Sequence, residues 1–124
     1  MTRISTLAAA AALFAATGTA TAGYVMTTNV VAASGSYAYG SMRDARDSSN
    51  PNEYIGCDVG TPSTGSAYVS CYAYTGSVFA YCYSYDANMV AAGRSISNGD
   101  YIYFTTGADS VCSNITVRTS SYDL

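Results

Sequence analysis

Histidine and lysine are absent from the 124 residues, and charged side chains make up only 10% of them. Without histidine, neither a Ser-His-Asp nor a Cys-His arrangement can be assembled. No C-x-x-C spacing occurs either, so the usual zinc donor sets are missing and the cysteines do not read as metal ligands. Glycine-rich phosphate loops and Walker-type motifs are lacking. Glycoside hydrolysis needs two placed carboxylates, whereas Glu53, Asp44, Asp47, Asp58, Asp86, Asp100, Asp109 and Asp123 fall mostly in loops with nothing that pairs them. No stretch reaches the roughly 20 apolar residues of a membrane span. The expectation is a protein that is not an enzyme and holds no cofactor or metal.

The first 22 residues, Met1–Ala22, have one basic residue (Arg3), an apolar stretch from Leu7 to Ala16 and small residues up to Ala20-Thr21-Ala22. That is the pattern of a secretory signal peptide with an A-x-A cleavage site. The mature chain is expected to begin near Gly23, leaving 102 of the 124 residues as a single domain, 23–124. Loss of Arg3 leaves four basic against eight acidic residues. So acidic a chain is a poor partner for nucleic acid.

Four cysteines and 13 tyrosines stand out in what remains. A chain of this size buries only roughly 60–70% of its unfolded surface, and in an exported protein an even cysteine count reads as disulfides. The stretch Ala67–Tyr85 supplies the centre. Ala67, Val69, Cys71 and Ala73 alternate with Tyr68, Ser70, Tyr72 and Tyr74. After Thr75-Gly76 the parity reverses, with Val78, Ala80, Cys82 and Ser84 against Phe79, Tyr81, Tyr83 and Tyr85. Period two marks a strand with unlike faces, and two such runs meeting at a turn form an antiparallel hairpin. A loop of residues 75–76 or 74–77 pairs Ala73 with Val78, Cys71 with Ala80 and Val69 with Cys82, and sets Tyr72 opposite Phe79 and Tyr68 opposite Tyr83. One face is then aliphatic and carries cysteines, and the other is aromatic. Such an aromatic face ordinarily packs under a helix or a second sheet. Left open to solvent, it is a platform for sugars, other aromatics or a copy of the same protein. The candidate contact residues are Tyr68, Tyr72, Tyr74, Phe79, Tyr81 and Tyr83.

In that register Cys71 and Cys82 lie diagonally, roughly 7–8 Å apart, which is too far for a bridge. With a strand at Tyr54–Val59 beside Ala67–Tyr74, Cys57 cannot reach Cys82 across the strand between them. Cys57–Cys71 and Cys82–Cys112 survive. The first closes a loop of about 15 residues, worth about 3 kcal/mol in the chain-entropy model.

Elsewhere, Gly23–Ser36 is either a first strand or a loose arm, and Tyr37–Met42 alternates as a strand. Arg43–Glu53 is charge-dense and rich in turn residues, hence a surface loop. Its oxygen-rich side chains match no EF-hand spacing and read as a solvated turn. Tyr54–Val59 points Ile55, Cys57 and Val59 inward, and Gly60–Ser66 is a flexible connection. Asp86 caps the one helix expected, running to about Ala92 with Gly93 as its stop. After a turn at Ser97–Asp100, Tyr101–Thr106 and Val111–Thr119 form a second hairpin around Gly107–Ser110, with Ile102, Phe104, Ile115 and Val117 on its core face. That parity turns Cys112 the wrong way for its bridge, and a β-bulge near Ser113 repairs it. Asn114-Ile115-Thr116 has the form of a glycosylation sequon but lies inside a strand.

The run YIGC at 54–57, SCYA at 70–73, Cys82, DYIYF at 100–104 and Cys112 resembles a group of small exported bacterial proteins without an assigned activity, over about the C-terminal two-thirds of the chain. The resemblance implies the disulfide core and no mechanism. The sequence therefore predicts a mainly β, disulfide-stapled antiparallel sheet or sandwich with a short helix, secreted to the periplasm or outside. Its expected role is non-catalytic contact through the tyrosine face, with a glycan, a cell-envelope component or itself as partner. The rival expectation is an inhibitor or effector acting on another protein through its loops.

Overall fold

A computed structural model describes residues 26–120; the leader expected at Met1–Ala22 lies outside the described residues. In chain order the elements are β1 (Val31–Ala33), β2 (Tyr37–Ser41), α1 (Met42–Asp47), β3 (Glu53–Gly60), β4 (Tyr68–Thr75), β5 (Phe79–Ser84), α2 (Ala87–Arg94), β6 (Tyr101–Thr106) and β7 (Cys112–Arg118), with a single 3-10 turn at Ala108–Ser110. The strands form two antiparallel sheets, a front sheet of order β3-β4-β5 and a back sheet of order β1-β2-β6-β7.

The alternation of each strand decides what lies between the sheets. Val69, Cys71, Ala73, Ala80 and Cys82 of the front sheet and Ala38, Ile102 and Phe104 of the back sheet have almost no exposed surface and belong to one hydrophobic cluster. Fully burying a residue such as Phe104 contributes roughly 1.5–3 kcal/mol. Two disulfides reinforce this core. Cys57–Cys71 joins directly opposed residues of β3 and β4, and Cys82–Cys112 ties the front sheet to the back one. Both are the expected pairs, and no described cysteine is free.

The register of the central hairpin differs from the expectation by two residues. Tyr72 faces Tyr81, Tyr74 faces Phe79, Ala73 faces Ala80 and Cys71 faces Cys82. The turn is Gly76-Ser77, closed by the Thr75 N–H donating to the Val78 carbonyl at 3.1 Å, and Gly76 has φ +92°. The physical reason is that the first central residue of a type II′ turn needs positive φ, which glycine supplies and threonine resists. A shift of two keeps every side chain on its expected face. It also places Cys71 directly opposite Cys82, so distance is not what keeps those two apart; each is taken by another partner.

In the second hairpin Phe104 opposes Ile115 and Thr105 opposes Asn114, but Thr106 opposes Cys112. Ser113 is thus the extra residue of a bulge, and it turns Cys112 into the core.

Helix α2 starts where expected, with the Asp86 carboxylate accepting from the Asn88 and Met89 N–H groups at 2.9 and 3.1 Å. Gly93 is not its stop: the helix runs through Arg94 and is capped by Ser95. The glycine serves a close approach instead, since a Cβ there would sit 2.7 Å from Val69 Cγ2 and 2.8 Å from Val59 Cγ2.

The expected surface loop at 43–53 begins as α1, capped by Ser41, with Asp44 and Ala45 buried. Asp44 accepts the Thr28 N–H at 2.6 Å and pairs with Arg43 at 2.9 Å, while Glu53 accepts the Val30 N–H and the Ser48 hydroxyl. These two carboxylates hold the segment leading into β1, and a charge so engaged is a structural acceptor.

Candidate functional site

Because β3, β4 and β5 turn their small and aliphatic residues inward, everything aromatic in the front sheet lies on its outer face. Tyr68, Tyr72, Tyr74, Phe79, Tyr81 and Tyr83 are together there, as the alternation predicts. The ordinary expectation, that such a face is covered, is reversed. The cysteine-bearing face packs against the back sheet and α2, while Phe79 is 48% exposed and Tyr81 39% exposed. Ala73, Ala80 and the half-cystines are small enough to let the sheets approach. Tyrosine hydroxyls in their place would need buried partners.

Two further rings complete the face. Tyr54 on β3 stands opposite Tyr74, with centroids 5.7 Å apart, and lies 6.0 Å from Tyr72. Its signal was in the sequence, since inward Ile55 sends Tyr54 outward. Tyr85, just beyond β5 and 61% exposed, meets Tyr68 at 6.3 Å and Tyr83 at 6.0 Å. Phe79, Tyr81, Tyr83 and Tyr85 then form a row along one strand, with successive centroids 6.4, 6.5 and 6.0 Å apart. Such spacing follows from side chains recurring every second residue on a strand.

Polar detail on the face is sparse. The Tyr72 hydroxyl donates to Asp58 Oδ1 at 3.2 Å and the Tyr74 hydroxyl donates to the Gly76 carbonyl at 2.9 Å. The Tyr72 phenol is pushed above its ordinary range by burial first, then by the charge of Asp58 and by the bond to it. Asp58 is the one carboxylate among the described residues of the face. An open depression of about 350 Å³ borders the Tyr85 end, lined by residues including Ser66, Val90 and Arg94.

Elsewhere the carboxylates are engaged as supports. Asp86 caps α2, Asp100 accepts from Ser97 and Thr119, and Asp47 pairs with Arg46 on the surface. Among the described residues no group of three or more His, Cys, Asp or Glu side chains could hold a metal ion, and no helix is long and apolar enough to cross a membrane. Asn114 lies in β7, where its amide donates to the Thr116 hydroxyl at 2.9 Å.

Comparison with protein-family models, curated proteins and solved structures finds no match for this chain.

Proposed function

We propose that this protein is a secreted, non-catalytic binding or structural module that makes contact through the outer face of β3, β4 and β5. The observation that carries the reading is the gathering of eight aromatic rings, five exposed and three half-buried, on the outer side of one disulfide-braced sheet. Flat rings with polar tips bring large contact area at small cost in rotamer entropy, and a braced sheet is already in its binding conformation. The exposed face favours this reading over an effector that works through its loops. Export is supported by the leader-like pattern of Met1–Ala22 and by the disulfides.

The test is capture from the producing cell's own envelope and culture medium with the oxidised protein as bait. A partner retained by the wild type should be lost by the Tyr72→Ala, Tyr81→Ala double variant while its fold stands. Equal retention by both would move the contact to the loops, the segment 61–66 first, where every residue is exposed.

A further inference from the structure

The back of the molecule repeats the chemistry of the front. Of the 13 tyrosines in the sequence, 11 fall among the described residues, and all 11 lie on the outer side of one sheet or the other. Tyr37, Tyr39, Tyr101 and Tyr103 occupy the back, where Tyr39 lies opposite Tyr103, 6.2 Å from the Tyr37 ring and 6.3 Å from the Tyr101 ring. Among the described residues each face carries a single charged residue, and the signs are opposite. The front has Asp58 on β3. The back has Arg118 on β7, its guanidinium 4.2 Å from the centre of the Tyr101 ring.

These two charges lie towards one end of the molecule. Helix α2 packs against both β3 and β7, although β7 begins bridged to β5 at the other edge of the front sheet. Gly93, near the helix C-terminus, touches Val59 beside Asp58, and the following turn places Asp100 where Thr119, next to Arg118, donates to it at 2.9 Å.

Building on the contact function assigned to the front face, we propose that its partner is the back face of a second copy of this chain. Translation along the normal to the sheets lays tyrosines on tyrosines and brings Arg118 of one copy towards the Asp58 end of the next. The contact is heterologous and does not close, so copies add in a row. A front-to-front pair would instead desolvate two Asp58 carboxylates against a face that has no cation among its described residues. Three strands of eight residues at most present a footprint of about 27 by about 14 Å, near 400 Å². That is roughly half of the ~800 Å² per partner of a stable complex, so each contact is weak and association grows with concentration without a fixed stoichiometry.

Sedimentation velocity of the oxidised protein over a rising concentration series tests this. The wild type should show a weight-average mass that climbs steadily. Asp58→Arg and Arg118→Asp, both at exposed positions, should each weaken association about tenfold or more, equivalent to about 1.4 kcal/mol. An equimolar mixture of the two should restore it, because each then meets its opposite. Asp58→Asn, which keeps an acceptor for Tyr72, should weaken it less and guards against misfolding. A flat mass series for the wild type, a closed dimer, or a mixture that stays as weak as its components would overturn the proposal. If the wild type stays monomeric yet binds a neutral polysaccharide gel or an envelope component in a Tyr81-dependent way, this inference fails and the contact function stands. If Tyr81→Ala changes neither, both fail.

Discussion

Replacing Tyr81 by alanine separates a contact face from a core more sharply than any other change. Tyr81 is 39% exposed and points away from the cluster between the sheets. It loses two ring neighbours along its strand, Phe79 at 6.4 Å and Tyr83 at 6.5 Å, and its cross-strand partner Tyr72. Cross-strand aromatic pairs stabilise by about 0.2–1 kcal/mol each, so the expected loss is about 0.5–1.5 kcal/mol. Phe104 has no exposed surface, and its truncation should cost about 3–5 kcal/mol. In a domain of this size 1 kcal/mol moves Tm by about 4–8 °C, so Tyr81→Ala should melt only a few degrees early while Phe104→Ala largely unfolds the chain. Urea melts with a shared slope measure both. A loss of about 3 kcal/mol for Tyr81→Ala would show that the ring is structural and would refute the reading of its face.

Gly93→Ala should destabilise by about 1–2 kcal/mol even though alanine is the better helix former by about 1 kcal/mol, because the new methyl runs into Val69 and Val59; trimming Val59 to alanine should recover part of the loss, and a rise in Tm for the single variant would refute the contact. The Tyr72 phenol should titrate above the usual value of 10.0, and Asp58→Asn should lower it towards that value, as phenolate absorbance referenced to Tyr72→Phe would record. Since its folded pKa is raised, the stability linked to Tyr72 is complete below about pH 10 and is lost as pH rises through the raised value; Tyr72 ionising before the other tyrosines would contradict the Asp58 contact.

Period-two alternation was enough to sort the side chains of the central hairpin into two faces, to place Tyr54 outward opposite Ile55, and to expose the parity conflict at Cys112 that Ser113 resolves. Asp86 marked the start of α2 because an N-cap is a local hydrogen bond between near neighbours. Alternation is blind to even shifts, however. The pairing of Tyr72 with Tyr81 in place of Phe79 followed from the φ of Gly76 in the turn, a property that threonine and glycine in neighbouring positions left open. The burial of Asp44 and the close packing of Gly93 come from partners 16 or more residues away, Thr28 for one and Val59 and Val69 for the other, and carry no local signature. Which face of the front sheet meets water is of the same kind. Tyrosine suits a core and a surface equally, and the choice fell to the back sheet, whose Ile102 and Phe104 and whose bridge from Cys112 to Cys82 cover the aliphatic side and leave the rings outside.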